Sequence, residues 1–223
     1  LREMDINPLI VDDTGAVAVD ARIVIDNAPP SIRNYHHLAI LPYPSHYEQQ
    51  WPLRGGGEYT VRPIHPDDAT MLQEFTRRLS PESRYFRFVS SMQELPTTML
   101  SRFTLIDYDR EMALVAIHRE RTQDAGGETV ETPRIVGVSR YVTNPDRSTC
   151  EFSLVVADDF KGQGLGSRLM LSIMDFAREK GLSEIQGLVL THNPTMLKLM
   201  RGLGFQVRAY PDDPDFRLVT HLL

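Results

Sequence analysis

The chain has 223 residues, 41% of them apolar, which suffices for one substantial domain and a further small piece. Its 24 Lys and Arg against 30 Asp and Glu leave a formal net charge of −6, so the surface has no general attraction for nucleic acid or anionic membranes. The one cysteine, Cys150, excludes an intramolecular disulfide framework, fits a reducing, cytoplasmic setting, and has no triad around it that would make it a nucleophile.

No apolar run approaches the roughly 20 residues of a membrane span. The acidic opening Leu1-Arg2-Glu3-Met4-Asp5 does not read as a signal peptide. It opens on Leu within an apparent strand, as a piece of a longer protein would. Residues 1–26 read as strand, turn, strand: Met4 to Val11, the turn signal Asp12-Asp13-Thr14-Gly15, then Ala16 to Ile25. A hairpin this short does not hold itself together in water, so it is expected to belong to a larger sheet. Residues 27–57, with Pro29, Pro30, Pro42, Pro44, Pro52 and Gly55-Gly56-Gly57, read as a linker.

From Tyr59 the pattern is α+β, and the main domain is expected over 58–223. Tyr59 to Ile64 alternates as a strand. His65-Pro66-Asp67-Asp68 opens a helix to about Leu79, with acids where the helix dipole favours them. Ser80-Pro81 starts a second helix, through Phe86, as N-cap and first helical position. Glu94 to Phe103 reads as a third. Met112 to His118 and Ile135 to Val142 read as strands joined by a mobile loop over Arg119 to Pro133, and Thr149 to Val156 as another strand. Gly164 to Lys180 carries Leu165, Leu169, Ile173, Phe176 and Ala177 at helical spacing and stops at Gly181. Ile185 to Leu190, a helix over Pro194 to Leu203, and strands Phe205 to Tyr210 and Phe216 to Leu222 complete the series.

Between a strand and that amphipathic helix lies Lys161-Gly162-Gln163-Gly164-Leu165-Gly166. Unpaired N–H groups at a helix start converge on one point and bind phosphate, and glycines let the main chain approach it. A nucleotide-triphosphate loop requires Gly-Lys-Ser/Thr at its end, whereas here Gly166 is followed by Ser167-Arg168. A dinucleotide fold requires the loop after the first strand of a parallel unit, whereas this one follows the domain's fourth strand.

The loop resembles motif A of the GNAT superfamily of N-acyltransferases, Arg/Gln-x-x-Gly-x-Gly/Ala, with Lys161 at the first position. Asn193 to Phe205 resembles the superfamily's Asn-x-x-Ala-x-x-x-Tyr-x-x-x-Gly-Phe signature, with Met200 at the tyrosine position. The resemblance covers about three quarters of the chain. It implies a mixed, mostly antiparallel twisted sheet of about six or seven strands flanked by helices, and acetyl-CoA as co-substrate. It places the pyrophosphate against the loop from Lys161 through Gly162, Gln163, Gly164, Leu165 and Gly166 to Ser167. It also places the pantetheine arm against Asn193 and the main chain at Leu154, Val155 and Val156, where the superfamily strand bulges and an oxyanion is stabilised. No metal is implied: the seven histidines lack ligand spacing.

Transfer to an amine of pKa about 10.4 needs a base. Glu151, at the head of the strand that meets the loop, is the candidate, with Glu111, Asp107 and Asp109 behind it. With Met200 unable to protonate the leaving thiolate, Tyr210, His192 or water does so, or no acid is needed.

Met4-Asp5-Ile6-Asn7-Pro8-Leu9 with Val19-Asp20-Ala21-Arg22 looks like the end of an ATP-grasp domain of nucleoside-diphosphate-forming acyl-CoA synthetases, whose Asn and Asp, here Asn7 and Asp20, help hold magnesium. The rest of that nucleotide site is absent, so ATP binding by this chain is not expected. Leu38 to Pro44, Val61 to Asp68 and Ser83-Arg84-Tyr85-Phe86-Arg87-Phe88 are similar to bacterial Pat-type protein lysine acetyltransferases. That resemblance implies a protein substrate, an acyl- or acetyl-CoA synthetase, acetylated on lysine, with the acidic run Pro211-Asp212-Asp213-Pro214-Asp215 facing it. Acylation of a small amine, and a binding module that does not turn over, are the rival readings. Oligomeric state is not legible.

Overall fold

The computed structural model describes residues 3–25, 41–53, 57–123 and 129–223, and the chain divides into two units, 1–41 and 42–223. In the first unit the expected hairpin is broken into four short strands, β1 (Glu3–Ile6), β2 (Leu9–Val11), β3 (Ala16–Ala18) and β4 (Ala21–Val24). β1 pairs with β4 and β2 with β3, both antiparallel. Asn7-Pro8 interrupts the first arm, and Asn7 N–H donates to Asp20 O at 3.1 Å. The Asp12 carboxylate closes the turn by accepting from Thr14 and Gly15 N–H.

The second unit is built on one eight-stranded sheet. Its first strand, β5 (Gln49–Pro52), lies inside the stretch expected as a linker and pairs with β6 (Glu58–Pro63). As an edge strand it tolerates Pro52, and it is anchored by Trp51, which is buried. The boundary expected at Gly57 therefore does not mark where this unit's sheet begins. Three helices follow, α1 (Ala69–Arg78), α2 (Pro81–Phe88) and α3 (Thr97–Thr104). β7 (Glu111–Gln123) and β8 (Thr129–Thr143) form one long antiparallel hairpin. The loop expected from Arg119 to Pro133 is thus mostly paired strand, with residues 124–128 outside the described ones.

β9 (Thr149–Val156), α4 (Leu165–Glu179), β10 (Glu184–Leu190), α5 (Pro194–Gly202), β11 (Gln206–Ala209) and β12 (Phe216–Leu222) complete the fold. The order across the sheet is β11-β12-β10-β9-β8-β7-β6-β5, with every neighbouring pair antiparallel except β9 and β10. This is the expected mixed sheet with one strand more than foreseen.

α4 forms because its apolar residues recur every three or four positions, and that face is buried: Leu165, Leu169, Met170, Ile173, Met174 and Ala177. It lies close on β8 at Gly137, where an added Cβ would stand 2.8 Å from Leu169 Cδ1. Ser139 Oγ also donates to Leu169 O. Beneath α3 sits a buried charge cluster. Glu111 accepts from Arg140 at 3.3 Å and from Arg102, and Arg140 donates to Phe103 O. Burial lowers the Arg140 pKa to about 10 while Glu111 opposes that shift.

Candidate active site

The sheet splits where the site lies. β9 and β10 run parallel but pair only at Thr149–Glu184, Cys150–Ile185 and Glu151–Gln186, after which the strands part. Beyond Glu151, β9 stays paired with β8 alone, in unbroken register to Val156. The bulge expected near Leu154 and Val155 is therefore absent from this ladder; the sheet's register shift falls between Ala116 and Ile117 of β7 instead. Alternation along the strand, fixed by Ala157 N–H donating to Val136 O, turns the Val155 amide toward β8 and the Leu154 and Val156 amides toward the gap. The main-chain donors facing the split are thus those of Leu154 and Val156, not Val155.

Phe152 lies beside the start of this split. An added Cβ on Gly187 would stand 2.8 Å from its ring, so the absence of a side chain there is what admits the aromatic. Phe152 also packs edge-on against Phe205.

At the end of β9 the chain turns through Asp158–Phe160 into the glycine loop. Gly162 and Gly164 have φ of 76° and 84°, the left-handed region, and nothing lies within 4 Å of a Cβ built on either. The glycines are required by backbone conformation rather than by crowding. Gly166 differs, since its Cβ would meet Val156, Leu154 and Leu199 at 3.6–3.7 Å, which is ordinary contact. The first hydrogen bond of α4 is Arg168 N–H to Gly164 O, and no side chain caps the helix or places an acid in its first turn. The amides of Leu165, Gly166 and Ser167 therefore have no partner among the described residues and converge at the positive end of the helix dipole. That is the group of donors a pyrophosphate requires.

Lys161 is placed otherwise than a phosphate ligand would be. Its ammonium donates to Ser83 Oγ and Asp158 Oδ1, both at 2.6 Å. Asp158 also accepts from Ser80 N–H at 2.8 Å and Ser83 Oγ at 2.6 Å, so the loop is tied to the start of α2. Burial raises the Asp158 pKa, but the Lys161, Ser80 and Ser83 hydrogen bonds overcome it and hold the carboxyl well below its usual range. The other side of the loop is held by Asp159, which pairs with Arg134, and by Phe160, buried against Tyr59 and His118.

The loop, α2, β9 and α5 border a half-open cavity of about 680 Å³, lined by Ser83, Phe86 and Arg87 of α2, Leu154 to Val156, Gly162, Gly164, Gly166 and Ser167, and Asn193 to Met196. Of the residues singled out from the sequence, Leu154, Val155, Val156, Lys161, Gly162, Gly164, Gly166, Ser167 and Asn193 line it, whereas Gln163, Leu165 and Glu151 do not. Leu165 is buried on the inner face of α4, in its first turn, and the Gln163 side chain donates to Asp159 O. Asn193 caps α5, its Oδ1 accepting from Met196 N–H at 3.1 Å, which leaves its amide nitrogen for the cavity. The cavity's α2 wall carried no assigned role in the sequence, since only Ser83 to Phe88 as a run had marked it.

Glu151 is exposed at the point where the strands part, on the sheet face opposite Leu154 and Val156. The alternative bases are engaged elsewhere. Glu111 is buried between two arginines, Asp109 pairs with Lys180 at 3.0 Å, and Asp107 accepts Asp109 N–H and pairs with Arg110. Met200 is fully buried in the core, and His192 stacks on Tyr85 and packs against Phe86. The Tyr210 hydroxyl hydrogen-bonds Asp212, which raises its pKa, and the Asp213 and Glu151 charges add to the shift. None of Met200, His192 and Tyr210 lines the cavity. Among the described residues no cluster of three or more His, Cys, Asp or Glu is placed to hold a metal ion, and no helix is long and apolar enough to cross a membrane.

The sequence profile of the acetyltransferase (GNAT) family matches residues 88–205, which span the split strand, the glycine loop and α5. The chain belongs to this family. Like its members, this acetyltransferase uses acetyl-CoA, and the open helix start and the gap-facing amides fit that co-substrate. It is 34% identical over 161 residues to an acetyltransferase of Pseudomonas aeruginosa, covering 72% of this chain and 82% of the relative. It is 29% identical over 153 residues to the acetyltransferase Pat of Mycolicibacterium smegmatis, covering 68% of this chain and 42% of that protein. Among solved structures, the GNAT domain of S. lividans PAT superposes with a TM-score of 0.70 at 28% identity, covering 82% of this acetyltransferase and 100% of that chain.

Proposed function

We propose that the acetyltransferase acetylates a lysine ε-amine on a partner protein, an acyl- or acetyl-CoA synthetase by the resemblance drawn from its sequence. The observation that carries the reading is the charge around the split. Glu151 stands where β9 leaves β10, and its carboxylate acts on Tyr210 together with those of Asp212 and Asp213. Such a cluster attracts an ammonium group and disfavours an anionic acceptor. The likeness to the Pat acetyltransferase and to the PAT domain supports the same reading.

Bound acetyl-CoA supplies an acetyl thioester, whose carbon–sulfur bond breaks as the carbon–nitrogen bond to the acceptor amine forms. The chain's own residues do the rest. The amides of Leu165 to Ser167 hold the pyrophosphate, and Asn193 holds the pantetheine arm. The Leu154 N–H, facing the gap, is the donor available to the thioester oxygen. Glu151 takes the proton from the attacking amine. The departing thiolate, of pKa about 8.5 as a free thiol, leaves without a protein acid and is protonated by water.

Residues 1–26 we read as resembling the end of an ATP-grasp domain, with Asn7 and Asp20 as the resemblance's magnesium pair, and the setting as the cytoplasm. The test is incubation with acetyl-CoA and a purified acyl-CoA synthetase, followed by mass spectrometry of its lysines. Acetylation confined to one synthetase lysine, dependent on the enzyme, is the expected result. Acetyl-CoA consumption with small amines alone would place the enzyme among small-molecule acetyltransferases.

A further inference from the structure

Along α2, Ser83 and Arg87 stand one helical turn apart on one face. Ser83 holds the glycine loop through Lys161, and Arg87 lines the same cavity one turn further along the helix. Arg87 makes no hydrogen bond and no ion pair with any described residue; its guanidinium rests on the rings of Phe88 and Phe103, at 5.1 and 5.7 Å. A guanidinium presents five donors in a planar fork matched to a carboxylate, and here none of them is engaged by a described residue beside a half-open cavity. Arg87 is half-buried, and desolvation lowers its pKa to about 10 while the nearby Glu151 charge opposes that shift.

An anion at Arg87 has two possible carriers, the acyl donor and the acceptor. The geometry favours the donor. Arg87 lines the cavity that the glycine loop closes, whereas Glu151, which meets the acceptor, does not. The acceptor side is also acidic, with Asp212, Asp213 and Glu151 acting on one hydroxyl.

Resting on the acyltransfer reading of this site, we propose that Arg87 is a specificity residue that binds the terminal carboxylate of a short dicarboxylic acyl group. The site then takes a thioester of the succinyl or malonyl class as well as the acetyl one. The bond changes are the same as for acetyl transfer, and the distal carboxylate is not consumed.

The test is calorimetry of acetyl-CoA and succinyl-CoA with the wild-type chain, Arg87→Leu and Arg87→Lys. Loss of charge-assisted hydrogen bonds should weaken succinyl-CoA by about 10- to 100-fold more than acetyl-CoA in Arg87→Leu. Arg87→Lys, which keeps the charge and loses the fork, should fall between them and serves as the folded control. Equal weakening of both thioesters would make Arg87 a support of the cavity wall and overturn the proposal. So would succinyl-CoA affinity unmoved in both variants. A second arm measures KM for free glutamate as acceptor with acetyl-CoA. A rise in KM with unchanged thioester affinities would assign the carboxylate to the acceptor and overturn the proposal as stated. If neither thioester binds the wild-type chain, the acyltransfer reading fails first and takes this inference with it.

Discussion

Lys161 and Ser83 meet at 2.6 Å at the wall of the cavity beside the glycine loop, and with Asp158 they join that loop to the first turn of α2. The lysine at the motif's first position is a brace between two elements rather than a hand held out to phosphate. The α2 wall of the cavity and the glycine loop are therefore tied to each other by side-chain hydrogen bonds.

Replacing Asp158 by Asn should loosen that brace in a pH-dependent way. Its folded pKa lies below the unfolded value of about 3.9, so its stabilisation is complete above that value and fades as pH falls toward the folded one. The gap in Tm between wild type and Asp158→Asn should be full at pH 7 and shrink at pH 3. Melting curves at the two pH values check this; a gap that widens on acidification would refute it.

Gly164 and Gly166 should respond differently to the same substitution. Gly164→Ala forces a Cβ onto a residue at φ 84°, a strain of about 1–2 kcal/mol, which reshapes the loop and should weaken acetyl-CoA binding severalfold. Gly166→Ala meets only ordinary contacts and should leave the dissociation constant within about twofold. Calorimetry on the two variants separates conformational need from space.

Glu151→Gln keeps size and hydrogen bonding but not basicity. Turnover should fall by about 10²–10⁴-fold with acetyl-CoA affinity unchanged. The deficit should narrow as pH rises toward the acceptor lysine's pKa of about 10.4, where the amine needs no base. A rate near wild type at neutral pH would remove Glu151 from the chemistry, and the alternative carboxylates are already engaged.

Arg140→Leu should destabilise the fold without touching the cofactor. It leaves Glu111 buried with only the exposed Arg102 as partner, and such losses typically cost about 3–5 kcal/mol. Urea unfolding should show the loss, while the folded variant binds acetyl-CoA as wild type does.

The elements most legible in the sequence were those with punctuation. Ser80-Pro81 and Asn193-Pro194 announced two helix starts, and Gly181 and Gly204 two stops, all close to their observed places. Both strands of the β7–β8 hairpin are legible, but its outer part from Arg119 to Pro133 reads as a loop because Thr129 to Pro133 is exposed and mostly polar, so no alternation marks it. β5 hid in a proline-rich stretch, since an edge strand with one buried residue leaves almost no pattern. In the site, the glycine loop was readable because its chemistry is local. Ser83, Arg87 and Asp158 were not, because their roles come from contacts between segments some 70 residues apart in sequence. The absent β9 bulge shows the same limit: a strand's departure from its neighbour is decided by what lies beside it.

The parting of β9 and β10 also divides the sheet mechanically. Strands β5 to β9 form one plate and β10 to β12 another, riveted along the shared edge at only three residue pairs, 149–184, 150–185 and 151–186. Any ligand seated in the gap touches both plates and so stiffens a seam that backbone pairing leaves half open. Hydrogen exchange at the Leu154 and Val156 amides, which face that seam, becomes a direct gauge of how firmly the two plates are clamped.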